Sequence, residues 1–203
     1  MSSKERGFII GVDEAGRGPL AGPLVVAAVA VPRHVQFRHK AGGALRDSKQ
    51  MTPLQRERWF QYIMEHDYIA YTVSWVTPRV IDNINIARAA DRAATRAVGR
   101  LVTQENLPTN NTTVLLDGAL YLTNDIPYRT VVRGDTIFRA IKLAAIVAKV
   151  YRDSVMTRLD LVHREYGFAQ HKGYGTRMHY KRLRMYGPSP VHRLSFISFL
   201  KDS

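Results

Sequence analysis

The chain has 203 residues, 45% of them hydrophobic and none of them cysteine, with 30 Lys and Arg against 17 Asp and Glu. That composition suits one globular α/β domain with a sizeable core, and it excludes a disordered chain, disulfides, thiolate metal sites and a cysteine nucleophile. A formal net charge of +13 points to a polyanionic partner, with nucleic acid ahead of an anionic membrane.

Residues 1–7 (MSSKERG) mix charge signs, and the apolar run behind them is interrupted at Asp13 and Glu14. The opening therefore reads as neither signal peptide nor membrane span, and a cytoplasmic protein is expected. Phe8, Ile9, Ile10 and Val12 predict a short buried strand, and Leu24 to Val31 a longer one. Asp13 and Glu14 stand at the end of the first. Adjacent carboxylates there repel each other and lose hydration unless a cation is supplied. A divalent ion would answer that need, and a hairpin with a solvated tip is the competing reading. Gly16, Gly18 and Gly22, with Pro19 and Pro23, predict a turn too tight for bulky side chains, with Arg17 inside it.

Pro32 to Gly43, with His34, Arg38, His39 and Lys40, reads as a basic surface loop, and Arg46, Asp47, Ser48 and Lys49 follow it. Thr52 as N-cap and Pro53 at the first helical position predict a helix to Met64 with Leu54, Trp59, Tyr62 and Ile63 on its apolar face. Tyr68 to Val76 predicts the third strand, so three strands precede the main helices and suggest an antiparallel meander. A short helical segment near residues 78–81 and a long one from Ile84 to Val102 come next. The long helix puts Ala87, Ala90, Ala94, Ala97, Val98 and Leu101 on one side. Arg88, Arg92, Arg96 and Arg100 line the other, as either a solvated face or a phosphate ladder.

Thr112 to Leu116 reads as a central strand parallel to the first, ending at Asp117-Gly118. Crossover geometry would bring Asp117 beside Asp13 and Glu14, although an Asp-Gly pair also makes a plain turn. Tyr128 to Val132 predicts a fifth strand, and Arg133-Gly134-Asp135 leads into one helix from Thr136 to Leu161. Helix capping alone would account for Asp135. The remaining chain offers a glycine-rich loop over residues 167–176, a basic helix from Thr176 to Met185, and His192 to Phe196. Tyr174, between Gly173 and Gly175 and near Lys172, can present its ring to a sugar or base, or simply pack. His171, His179 and His192 have no standard zinc spacing, and no P-loop, nucleophile elbow, HExxH or dinucleotide-binding motif is present.

Residues 11–23 (GVDEAGRGPLAGP), Gly134-Asp135, residues 148–153 (AKVYRD), the loop at 167–176 and residues 192–196 (HRLSF) together resemble the ribonuclease HII family. The similarity runs from Gly11 to Phe196 in the family's own order. It implies a ribonuclease H-like α/β fold, a five-stranded mixed sheet flanked by helices with a small C-terminal helical appendage. Residues 1–162 would be the catalytic domain, and 163–203 a substrate-binding appendage packed on it. The resemblance implies that Asp13, Glu14, Asp117 and Asp135 are catalytic and hold two Mg²⁺ or Mn²⁺ ions that activate water and stabilise the leaving 3′ oxygen.

The implied activity is endonucleolytic cleavage of RNA in RNA/DNA hybrids and 5′ of single ribonucleotides in duplex DNA. It leaves 3′-hydroxyl and 5′-phosphate ends and serves ribonucleotide removal, with a monomer expected. Gly16, Arg17 and Gly18 would contact the nucleic acid, and Tyr174 the deoxyribose after the ribonucleotide. Ser48, Lys49, Lys142 and Lys172 complete the candidate substrate-binding set. One departure concerns residues 142–145, Lys-Leu-Ala-Ala, where the family usually has Ser-Ala-Ala-Ser. In a single helix Asp135 and Lys142 would lie on similar faces about 10 Å apart along the axis, which leaves phosphate contact and solvent exposure both open for Lys142. Two rivals stand beside this reading. A resolvase- or integrase-like nuclease would share the acids without the two glycine loops, and a non-catalytic nucleic-acid-binding module would need no carboxylate cluster.

Overall fold

The computed structural model describes residues 7–35, 37 and 43–198, so Arg38, His39 and Lys40 of the expected basic loop lie outside the described residues. Five strands form one mixed sheet: β1 (Phe8–Ala15), β2 (Leu24–Pro32), β3 (Ala70–Val76), β4 (Thr112–Asp117) and β5 (Tyr128–Val131). Their order is β3-β2-β1-β4-β5. The first three make the antiparallel meander read from the sequence, and β4 and β5 join parallel to β1.

β1 runs through Asp13 and Glu14 instead of ending before them. β2 supplies an unbroken ladder, with Asp13 opposite Ala27, Glu14 opposite Val26 and Ala15 opposite Val25. Backbone pairing carries two carboxylates that an apolar pattern alone would have assigned to a turn. Because side chains alternate, the two acids leave opposite faces of the strand.

Helices cover both faces. α2 (Pro78–Ile84) leads into α3 (Ile86–Gln104), whose Ala89, Ala90, Ala93, Ala94, Ala97, Val98 and Leu101 pack with Ile10, Val12, Val26 and Leu116. Methyl-sized side chains let this helix lie close to the sheet. Ala87 is exposed in its first turn, and Arg88, Arg92, Arg96 and Arg100 face solvent. On the other face, α1 (Pro53–Glu65) buries Trp59 and Ile63 beneath a capping box in which Thr52 and Gln55 exchange hydrogen bonds. Leu54, expected on that face, is exposed; five residues from Trp59 is a rotation of about 140°, off the stripe.

The long helix expected from Thr136 is two elements, α4 (Gly134–Ile137) and α5 (Arg139–Val162), parted by extended Phe138. Two tertiary contacts account for the break. Asp117 Oδ1 accepts from Gly134 N at 2.6 Å and from Asp135 N at 3.4 Å, fixing α4 on the end of β4. The first turn of α5 docks against β1, where a Cβ on Gly11 would lie 2.1 Å from the Ala140 carbonyl carbon. The helical spacing between Asp135 and Lys142 therefore does not apply. Beyond α5, α6 (Phe168–His171) and α7 (Arg177–Tyr186) share a small core of Leu20, Ala21, Met156, Tyr166, Phe168 and Leu183 with the β1–β2 turn.

Candidate active site

The parallel register of β1 and β4 pairs Val12 with Leu116, so the next residues, Asp13 and Asp117, stand side by side at the sheet's edge. α4 brings in Asp135. Carboxylate oxygens of these three residues lie within 4.8 Å of one another. Asp13 is 6% exposed and Asp135 3%, so neither charge is dissipated by water. Burial, then Glu14 and Asp117, push the Asp13 carboxyl well above the usual carboxylate range. Asp117 is raised as well, by burial and then by Asp135.

Two cations from the chain partly offset this crowding. Lys49, on a short 3-10 turn at Ser48–Gln50, donates from Nζ to Asp135 Oδ2 at 3.0 Å. That bond holds the Lys49 ammonium above its ordinary pKa. Its side chain is 78% exposed, so it can leave at little cost. Glu14 does not join the three aspartates among the described residues. It leaves the opposite face of β1, and Arg17 Nε donates to its Oε1 at 2.8 Å. Burial nevertheless raises the Glu14 carboxyl, with Arg17 opposing. Arg17 Nη2 is buried without a hydrogen-bond partner.

An all-carboxylate, oxygen-only donor set is the chemistry of hard divalent cations, and no thiolate or imidazole stands among these residues. Burial and mutual repulsion, which raise the Asp13 and Asp117 carboxyls, are what a cation would relieve. The residues present thus fit a Mg²⁺- or Mn²⁺-type ion.

Next to the acids, the turn at residues 16–23 is pinned by two buried arginines. Arg193 donates to Gly16 O at 2.6 Å, Arg17 O at 2.9 Å and Gly22 O at 3.0 and 3.1 Å. Arg152 donates to Pro23 O, Ala21 O and Lys172 O, tying the turn to the glycine-rich loop. Leu20 N bonds to Gly173 O at 2.8 Å and closes the same junction. Gly16 and Gly22 have positive φ and face Arg152 or Met156, so both are required by the turn itself. Gly18 is different. A Cβ there would meet nothing within 4 Å, so the tightness expected at this position is absent and its open side faces outward.

The other sequence candidates separate in space. Tyr174 exposes 45% of its surface and lies 5.7 Å from the Arg152 guanidinium. Lys172, in left-handed backbone, donates from Nζ to Thr157 Oγ1. Ser48 is buried, with its carbonyl accepting from Arg56. Lys142 is half-buried on α5, past the Phe138 break. The resemblance gave residues 192–196 a structural role, which Arg193 fills; the pattern reading gave none to Arg152, although a signal existed for it. Ile141, Ala145, Ala148, Arg152 and Met156 form a buried stripe at helical spacing, and an arginine on such a stripe calls for buried acceptors.

The family profile described as Ribonuclease HII matches residues 10–199. Ribonuclease HII of Chlamydia pneumoniae is 38% identical over 196 residues, covering 97% of this chain and 86% of the relative. Among solved structures, the ribonuclease H2 from Pyrococcus horikoshii superposes with a TM-score of 0.77 at 26% identity, covering 96% of this chain and 97% of that one. Bst-RNase HIII in complex with Mn²⁺ shares the fold, with a TM-score of 0.71 at 19% identity over 98% of this chain and 71% of that one.

Proposed function

Because the chain belongs to the ribonuclease HII family and is an endoribonuclease of the ribonuclease H class, we propose that it cuts RNA/DNA hybrids and duplex DNA on the 5′ side of single embedded ribonucleotides, leaving 3′-hydroxyl and 5′-phosphate ends. The observation that carries this reading is the convergence of Asp13, Asp117 and Asp135 next to a glycine turn that is bonded to the Tyr174 loop. Mg²⁺ or Mn²⁺, two ions during turnover, would supply an activated water and stabilisation of the leaving 3′ oxygen. The similarity to Bst-RNase HIII in complex with Mn²⁺ supports the choice of ion class.

Asp13, Asp117 and Asp135 would hold the ions, and Glu14, at the same end of β1, would join them on release from Arg17. Lys49 occupies Asp135 in their absence and moves to a substrate phosphate once Asp135 is engaged. Gly16, Arg17 and Gly18 read the 2′-hydroxyl. That group is both donor and acceptor, and only backbone unobstructed by side chains comes near enough to pair with it. The open side of Gly18 and the unpartnered Arg17 Nη2 support this assignment. A substrate lacking the hydroxyl leaves these polar groups unpaired, which is how large selectivity arises.

Tyr174 faces the next sugar. A flat ring tolerates deoxyribose and crowds a 2′-hydroxyl, so the cut falls at an RNA-to-DNA junction. The basic surface, +13 in formal charge, holds the phosphate backbone on either side. A labelled duplex with one embedded ribonucleotide tests the reading. Cleavage 5′ of that nucleotide with Mg²⁺, none without it, and none of an all-DNA control is the expected pattern. Cutting of the all-DNA control, or hybrid binding without cleavage in Mg²⁺ and in Mn²⁺, would contradict it.

A further inference from the structure

His171, His179 and His192 are all buried behind the loop that carries Tyr174. Their partners decide which ring nitrogen bears the proton. Ser189 N–H can only donate, and it reaches His192 Nδ1 at 2.9 Å, while the Ser189 hydroxyl, 2.8 Å from the same nitrogen, can donate or accept. His192 therefore keeps that nitrogen bare and its proton on Nε2, which is 3.0 Å from His179 Nε2. The other end gives the same answer independently. The Tyr174 carbonyl can only accept, and it lies 2.9 Å from His179 Nδ1. His179 thus carries its proton on Nδ1 and accepts on Nε2. One run of donors results, from Ser189 N–H through His192 and His179 to Tyr174 O.

His171 braces the loop from beneath. Gly173 N donates to its Nδ1 at 3.2 Å, and its Nε2 donates to Tyr166 O at 2.9 Å. Its ring stacks on His179 with centroids 4.4 Å apart. All three rings must be neutral for these bonds to exist together. A proton added at His192 Nδ1 would break the bond from Ser189 N–H, although the Ser189 hydroxyl could accept it, and one at His179 Nε2 would meet the His192 Nε2–H. The packed neighbours favour neutrality, since Tyr166 and Phe168 supply rings. The charged or titratable groups nearest by are His163 toward His192 and Arg182 and Asp160 toward His171. Burial holds His179 and His192 at about 4.

We propose that His179 and His192 are positioning residues for substrate selection: their relay fixes the Tyr174 carbonyl, and so decides how closely the Tyr174 ring approaches the sugar beyond the cut. The inference rests on the reading that Tyr174 contacts that sugar. Gly173 and Gly175 leave the backbone on both sides of Tyr174 permissive, so its orientation is set by bonds to its own peptide groups. Thr176 N donates to the same carbonyl at 2.8 Å from within the loop. His179 provides the bond that ties this carbonyl to the buried closing motif.

Two measurements decide the matter. Long-range ¹⁵N–¹H NMR of the histidines in the intact protein at neutral pH should find His179 protonated on Nδ1 and His192 on Nε2. A His179 proton on Nε2, or a charged ring, overturns the relay without any variant being made. Cleavage rates at an RNA-to-DNA junction and inside a long hybrid are then compared. His179→Gln, which lacks a donor at the Nδ1 position, should lower the junction-to-interior ratio about five-fold, the equivalent of one hydrogen bond. His179→Asn places an amide N–H there and should keep the ratio within about two-fold. Equal ratios in the two variants overturn the relay. An unchanged ratio in Tyr174→Ala instead overturns the sugar-contact reading on which it rests.

Discussion

The aspartate cluster and the arginine-pinned junction are joined by the turn at residues 16–23, yet they treat buried charge in opposite ways. Arg152 and Arg193 are 1% and 0% exposed, and backbone carbonyls surround both guanidinium groups. Asp13, Asp117 and Asp135 are crowded together with one lysine, largely in solvent, for three carboxylates. A satisfied buried charge fixes geometry, whereas an unsatisfied one stores a demand that a ligand can meet. On the proposed function, the difference separates the part of the site that positions from the part that reacts. It also explains why the turn can be rigid on one side and open at Gly18 on the other.

The sharpest way to break this comparison is to remove one charge from each side. Asp117→Asn should lower cleavage by about 10³-fold or more while leaving hybrid binding nearly intact, because several kcal/mol of transition-state stabilisation is lost. The same variant should melt a few degrees higher in metal-free buffer, since it relieves repulsion. Arg193→Met should do the reverse to stability, costing about 3 kcal/mol in urea unfolding by stranding the Gly16, Arg17 and Gly22 carbonyls. If both variants moved stability in the same direction, the contrast would fail.

Acid pH probes the junction side. His179 and His192, held at about 4 in the folded chain, titrate near 6.5 once unfolded. The unfolded state therefore binds more protons between those values, and stability should fall as pH drops from about 6.5 to about 4. The raised carboxyls of Asp13 and Asp117 have the opposite sign. Metal-free stability falls as pH rises through their elevated values, because the folded state is the one that holds on to protons. Asp117→Asn lacks the Asp117 part of this dependence, so metal-free stability curves of wild type and variant that ran parallel across pH would contradict the aspartate assignment. The smallest effect is expected at Lys49. Lys49→Ala should tighten divalent-ion binding about two-fold by removing a competing cation, as calorimetry would show.

Much of this was legible in residue pattern. Apolar runs rich in β-branched and aromatic residues and the Thr52 cap marked the meander and α1, and the order of motifs from Gly11 to Phe196 marked the family. The break at Phe138 was not legible, because it follows from Asp117 binding the amides of α4 and from Gly11 admitting α5, both long-range contacts. The side of β1 from which Glu14 departs was not legible either, because sequence adjacency hides the alternation of a strand. The pairing of Glu14 with Arg17 becomes visible only when β1 is seen to continue to Ala15. The histidine relay was hidden for a related reason. His171, His179 and His192 match no ligand spacing, and hydrogen bonds between imidazoles leave no sequence signature.

On the proposed function, the three aspartates are a cation site destabilised until it is filled. Thermal unfolding of the wild type and Asp117→Asn across a Mn²⁺ titration tests it directly. The wild type should begin lower and rise with the logarithm of ion concentration once the site is half-filled, while Asp117→Asn begins higher and rises little, so the two curves cross. Parallel curves, or a wild-type midpoint indifferent to Mn²⁺, would contradict the account.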